Sequence, residues 1–107
     1  MRIFKFGGAS VKDAEGIKNV VNVLQTVGHE NTLLVVSAMG KTTNAMEVVV
    51  KNYFEDKSKL NASFQEIIDY HNDILIALFE NEKHPVFQKV KGLIEQVQGF
   101  LAWNKSP

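Results

Sequence analysis

The chain has 107 residues, 45% of them hydrophobic and 22% charged, and its twelve basic and twelve acidic side chains leave zero formal charge. That length allows one domain at most, and the balance argues against disorder, a nucleic-acid footprint or a polybasic membrane patch. With no cysteine, disulfides, thiolate chemistry and cysteine-rich zinc sites are excluded.

Residues 2–6 read as a short strand, because Ile3, Phe4 and Phe6 are good strand formers and Gly7-Gly8 stops them. The apolar part of this opening is too short for a secretory h-region, and no later run approaches the roughly 20 residues of a membrane span, so the expectation is a cytosolic protein. Asp13 is placed to cap a helix whose apolar positions Ile17, Val20, Val21, Leu24 and Val27 recur at spacings of three and four, with Gly28 as a left-handed closing residue. Thr32-Leu33-Leu34-Val35-Val36 is a continuous apolar run that suits a parallel strand buried on both faces. Strand, helix, strand within about 35 residues makes one βαβ unit.

The second half changes character. A helix over 43–54 and a polar linker over 55–59 lead into a long helix marked by Leu60, Phe64, Ile67, Ile68, Ile74, Leu75, Leu78 and Phe79. His84-Pro85 breaks that pattern, with proline at the first position of a last helix carrying Val86, Val90, Leu93, Ile94, Val97 and Leu101. The fold class is therefore α/β: one parallel βαβ unit with a following helix over 1–54, then a helical hairpin over 60–103. Two strands leave open sheet edges, and the turn-like Asn104-Lys105-Ser106-Pro107 more often leads into something than ends a protein, so a fragment of a larger α/β domain is expected.

Two loops carry chemistry. Lys5-Phe6-Gly7-Gly8-Ala9-Ser10 follows a strand and precedes a helix, so the glycines let the main chain approach a ligand and the amides favour an anion. Lys5 can neutralise phosphate charge and Ser10 can donate one more hydrogen bond. The competing reading is a plain glycine turn with Lys5 on a solvated strand face. The second loop, Ser37-Ala38-Met39-Gly40-Lys41-Thr42-Thr43-Asn44, contains a Gly-Lys-Thr triplet, but a Walker A loop needs glycine at position 35, where Val35 stands. What remains is a strand end with hydroxyls at Ser37, Thr42 and Thr43, the place where ligands bind in open α/β sheets. Capping of the next helix by Thr42 or Thr43 is the structural alternative.

Other groups carry less. His29, His71 and His84 have no metal-ligand spacing, and His71 is expected to be partly buried on its helix. Glu66, Asp69 and Asp73 lie at helical spacing on what reads as a solvated face, and Met39 and Met46 read as packing.

Lys5–Val11 resembles K-F-G-G-[TS]-S-V, the opening motif of the aspartate kinase branch of the amino-acid kinase family, with Ala9 in the variable position. Val36–Asn44 is similar to that branch's second motif, V-S-A-M-G-x-T-T-[ND], at the usual separation with a helix between. The resemblance covers the whole chain. It implies part of a three-layer amino-acid-kinase sandwich, and transfer of the ATP γ-phosphoryl group to the side-chain carboxylate of L-aspartate at the head of lysine, threonine and methionine biosynthesis. It implies Lys5 as the catalytic charge, Lys5, Phe6, Gly7, Gly8 and Ser10 at ATP, and Ser37, Thr43 and Asn44 at aspartate. Mg²⁺ would accompany ATP, with no evident metal ligand in the chain, and a homo-oligomer is implied at full length. Ala9 removes a hydroxyl found in many members. A glutamate and an arginine for aspartate, the base pocket and the regulatory domains would all lie beyond residue 107, so the isolated chain is expected to be inactive. A related kinase with another acceptor and a non-catalytic helical docking module remain the alternatives.

Overall fold

A computed structural model describes residues 1–103; the expected turn at Asn104–Pro107 lies outside the described residues. In chain order the elements are β1 (Arg2–Phe6), α1 (Ala14–Val27), β2 (Thr32–Val36), α2 (Thr42–Glu55), a single 3₁₀ turn (Lys57–Lys59), α3 (Leu60–Leu78) and α4 (Pro85–Trp103). The chain divides into two compact units, one of Met1–Asn44 and one beginning at Ala45, so the division falls inside the first turn of α2.

In the first unit β1 and β2 pair in parallel, from Arg2 opposite Thr32 to Phe6 opposite Val36. Because side chains alternate along a strand, Ile3, Lys5, Leu33 and Val35 share one face and Phe4, Phe6, Leu34 and Val36 the other. Phe4 and Phe6 are half-buried, whereas Ile3 is 64% exposed. The expectation that β2 is buried on both faces does not hold in this structure: Leu33, Leu34, Val35 and Val36 are all at least 40% exposed. The reason is topological, since among the described residues the sheet has two strands and β2 has β1 alone beside it.

Helix α1 starts where Asp13 Oδ1 accepts the Gly16 amide at 2.8 Å, satisfying one of the first-turn donors. Ile17, Val20, Val23 and Leu24 are half-buried, while Val21 and Val27 stay exposed. Gly28 has a positive φ of 86° but an extended ψ of 159°, so it turns the chain out of the helix without closing it in the left-handed helical conformation. The open carbonyls are met instead from β1: Arg2 donates to the Val27 carbonyl at 2.9 Å and the Gly28 carbonyl at 3.1 Å, a cation at the negative end of the helix. The same guanidinium lies 5.4 Å from the Phe4 ring centroid.

In the second unit the buried side chains are Val49, Tyr53, Phe64, Ile74 and Leu75. Every residue of the stripe expected on α3, from Leu60 to Phe79, is buried or half-buried. The start of α3 shares a groove with the end of α4 (Phe64 with Gln98 and Leu101), and the middle of α3 shares another with the start of α4 (Ile68 and Ile76 with Phe87). The two helices therefore run antiparallel, as the hairpin expectation requires. Pro85 takes the first position of α4, and His84 caps it: its Nδ1 accepts the Val86 amide at 3.1 Å while its ring lies 4.4 Å from that of Phe79. His71 is half-buried, as expected, and donates from Nδ1 to the Ile67 carbonyl at 2.8 Å. The linker at 55–59 is the 3₁₀ turn, held by Asp56, which accepts from the Ser58 amide and hydroxyl.

Candidate functional site

Parallel pairing sends β1 and β2 toward the same end, so the loops that leave them emerge side by side. The Ser37 amide donates to the Phe6 carbonyl at 2.9 Å, carrying the pairing one residue past β2. The first loop then folds on itself in two overlapping turns, Ser10 amide to Gly7 carbonyl at 3.0 Å and Val11 amide to Gly8 carbonyl at 3.2 Å. Val11, 4% exposed, fixes the loop to the interior of the unit. The Gly8 carbonyl takes a second bond, from the Gly40 amide at 3.1 Å, which uses both of its lone pairs and fastens the two loops together.

This geometry divides the donors of the first loop. The Ser10 and Val11 amides are spent inside it, whereas the Gly7 and Gly8 amides meet no carbonyl among the described residues. Lys5, exposed on β1, forms no ion pair among the described residues. An exposed lysine near the strand end, followed by two unspent amides ahead of a helix, is a donor set suited to phosphate oxygens.

The two glycines differ in what surrounds them. Neither has a positive φ. A Cβ at position 8 would stand 2.8 Å from the Gly40 carbonyl oxygen and 3.2 Å from that of Ala38. A Cβ at position 7 would meet nothing within 4 Å. Gly8 is thus small because the second loop leans on it, and Gly7 opens onto free space where a ligand can approach the main chain. A third glycine supports the loop from behind: a Cβ at Gly16 would come within 2.4 Å of the Ser10 carbonyl oxygen, so the first turn of α1 sits directly against the loop.

In the second loop Gly40 has φ 54°, the left-handed region that glycine enters without penalty. Both the amide and the hydroxyl of Thr42 donate to the Met39 carbonyl, so Thr42 closes the turn rather than facing outward. Thr42 and Thr43 are the first two residues of α2, and the hydroxyl of Thr42 does not serve as its cap. Ser37, Thr43 and Asn44 are exposed, and their side chains make no hydrogen bond among the described residues. Their polar groups are free to receive a small polar ligand. No cluster of three or more histidine or acidic side chains able to hold a metal exists among the described residues.

The family model for the amino acid kinase family matches residues 1–100. The chain belongs to the amino acid kinase family. Among curated relatives it is similar to aspartokinase 2, chloroplastic, of Arabidopsis thaliana, with 48% identity over 44 residues that make up 41% of this chain and 8% of that protein. It is also similar to bifunctional aspartokinase/homoserine dehydrogenase 2, chloroplastic, of the same plant, with 30% identity over 104 residues, covering 89% of this chain and 11% of that protein. A third relative is bifunctional aspartokinase/homoserine dehydrogenase 1, chloroplastic, of Zea mays, at 28% identity over 103 residues, again covering 89% of this chain and 11% of that protein. The chain spans about a tenth or less of the length of these aspartokinases. Its parallel strand pair with flanking helices is part of the α/β fold of the amino acid kinases. No helix among the described residues is long and apolar enough to cross a membrane.

Sequence reasoning named Lys5, Phe6, Gly7, Gly8, Ser10, Ser37, Thr43 and Asn44, and the structure joins their two loops by the Ser37–Phe6 and Gly40–Gly8 main-chain bonds. Gly16 was not singled out for the site. Its signal was a glycine three residues after a capping aspartate, in a helix turn where alanine would be preferred.

Proposed function

We propose that this chain supplies the phosphate side and part of the acceptor side of an aspartate kinase, which transfers the γ-phosphoryl group of ATP to the side-chain carboxylate of L-aspartate to give 4-phospho-L-aspartate. The observation that supports the reading is the open main chain at Gly7: a Cβ there would meet no described atom within 4 Å, and the Gly7 and Gly8 amides are not spent on any carbonyl among the described residues, so a phosphate can reach both. Lys5 and the Gly7 and Gly8 amides flank that opening, with Phe6 setting the strand end and Ser10 adding a hydroxyl.

The residues suit the chemistry. The acceptor carboxylate is ionised at neutral pH and attacks without a general base, so the protein's task is positioning and charge neutralisation. ATP, when bound, supplies the phosphoryl group and its leaving group. Lys5 stabilises negative charge that spreads over the transferring oxygens, and the loop amides hold the phosphate in a fixed orientation. Ser37, Thr43 and Asn44 hold the aspartate so that its side-chain carboxylate faces that phosphate. Mg²⁺ would accompany ATP and ride on its phosphates; the described residues hold no group of three or more histidine or acidic side chains to cage it. The pathway entry to lysine, threonine and methionine, a cytoplasmic setting and a full-length homo-oligomer belong to the same proposal. The relatives' own names include chloroplastic enzymes.

The test is an ATP titration of ¹⁵N-labelled chain. Shifts of the Gly7 and Gly8 amides that vanish in Lys5→Met support the reading, and no response at millimolar ATP rejects it. In a hydroxylamine trap for acyl phosphate the chain alone is expected to give no ATP- and aspartate-dependent product. A polypeptide carrying the whole kinase domain should give it with L-aspartate and not with glutamate or uridylate.

A further inference from the structure

The two adjacent glycines of the first loop are chemically identical, yet the structure puts them to different uses. We propose that Gly8 and Gly40 are positioning residues: their main-chain bond registers the Ser37–Thr43 loop on the phosphate loop, and Gly8 is glycine to let the second loop approach, not to let phosphate approach. The proposal deepens the aspartate kinase reading and rests on it for the identity of the two ligands.

Three observations converge. The Gly40 amide reaches the Gly8 carbonyl at 3.1 Å, joining the two loops beyond the Ser37–Phe6 bond that ends the strand pairing. Gly40 can turn its amide toward Gly8 because it adopts φ 54°, which a side chain would disfavour. The obstacle to any side chain at position 8 is main chain on the far side, the carbonyl oxygens of Gly40 and Ala38 at 2.8 and 3.2 Å. No rotamer change relieves that clash, so the loops must part. At position 7 an added methyl meets no protein atom within 4 Å. A methyl there obstructs only what arrives from solvent.

The consequence is a separation of effects. Gly7→Ala should weaken nucleotide binding and leave the second loop in place. Gly8→Ala should displace the second loop, and with it Ser37 and Thr43, so that the response to L-aspartate suffers as much as the response to ATP. Because the bond joins the two loops, ATP at the first should also be felt at the second.

The experiment uses the ¹⁵N-labelled chain and its two alanine variants, with hydrogen exchange and amide shifts as readouts and ATP and L-aspartate as probes. In the wild type the Gly40 amide should be protected, and Gly8→Ala should speed its exchange about tenfold while the β1 amides keep their rates, as loss of one main-chain bond requires. Gly7→Ala should leave Gly40 protection unchanged. On ATP addition, wild-type shifts should extend from Gly7 to Gly40 and Thr43, and in Gly8→Ala they should stop within the first loop. An unprotected Gly40 amide in the wild type, or protection that survives Gly8→Ala, overturns the proposal. If Gly8→Ala fails to fold, the wild-type protection and Gly7→Ala comparison decide alone. Failure of the nucleotide reading looks different: Gly40 would be protected as expected, but no amide would respond to ATP.

Discussion

Replacing glycine by alanine inside a helix ordinarily stabilises it by about 1 kcal/mol, since alanine has the higher helix propensity and the unfolded chain has less freedom to lose. At Gly16 the structure reverses that sign. The added Cβ would stand 2.4 Å from the Ser10 carbonyl oxygen and 3.2 Å from its carbon, where ordinary contact begins near 3.4 Å. Helix and loop must therefore separate by roughly 1 Å, and because both surfaces are backbone neither can yield by rotating a bond. Overpacking of this kind costs about 1–3 kcal/mol. The gain in helix propensity returns about 1 kcal/mol of it, so the net expectation is a loss of up to about 2 kcal/mol where a gain would otherwise be expected. Gly92 and Gly99 in α4 provide internal controls, because a Cβ at either meets nothing within 4 Å. Each alanine there should gain about 0.5–1 kcal/mol. Urea denaturation, followed through amide signals of each unit separately, measures both at constant slope. In Gly16→Ala the Ser10 and Val11 amides should also shift. A Gly16→Ala midpoint raised like that of Gly92→Ala, with Ser10 and Val11 undisturbed, would refute the close approach of α1 to the loop.

Removing the Arg2 guanidinium in Arg2→Met should destabilise the first unit by about 1 kcal/mol, through the carbonyls left open at Val27 and Gly28 and the lost cation at the end of α1; exchange of amides in the last turn of α1 reports it, and unchanged rates would contradict the assignment. Asp56 has its carboxyl held below the ordinary 3.8, first by the Ser58 hydroxyl, against an opposing desolvation, with the Ser58 amide and Lys59 adding to the lowering. A depressed carboxyl contributes stability that is present above the ordinary value and is lost as pH falls through its folded value. The Ser58 amide signal should therefore stay constant from neutral pH down to about 4 and move only below it, and a midpoint above that range would sink the reading. His84→Ala should cost about 1 kcal/mol at the start of α4 by deleting the acceptor for the Val86 amide, while His84→Asn should retain most of it; thermal melts of the two variants that coincide would rule out the cap.

The elements were legible because local signals agree with one another. Asp13 before an apolar period of three and four, Pro85 after His84, and the uninterrupted stripe of α3 each fix an element by chemistry contained within a few residues. Bounds shifted by only a residue or two, as at α2, which opens at Thr42 because that residue closes on Met39. What was not legible depends on neighbours distant in sequence. An apolar run such as Leu33–Val36 specifies a strand that tolerates burial on both faces, but its actual exposure is decided by how many strands and helices lie around it. Val21, Val27, Leu93 and Val97 belong to the same class: each obeys helical spacing, and each stays exposed. Arg2 capping a helix that ends 25 residues later leaves no mark in either local pattern.

The site shows the same division more sharply. Sequence could place Lys5, Gly7, Gly8 and Ser10 on one strand end and Ser37, Thr43 and Asn44 on another, and parallel pairing alone brings those ends together. It could not tell the two glycines apart, because the absence of a Cβ lets the main chain approach a ligand equally at either. The structure separates them on steric grounds, and neither uses a positive φ. Position 8 is filled by the neighbouring loop and position 16 by the loop's own carbonyl, while position 7 alone is open. On the proposed reading, a substitution series across these three glycines should separate functions that a motif joins: alanine at 16 should be felt first as stability, at 8 as the registration of two loops, and at 7 as the binding of phosphate. Uniform effects across the three would mean that the loop acts as one flexible turn, and the open space at Gly7 would lose its claim to be a ligand's.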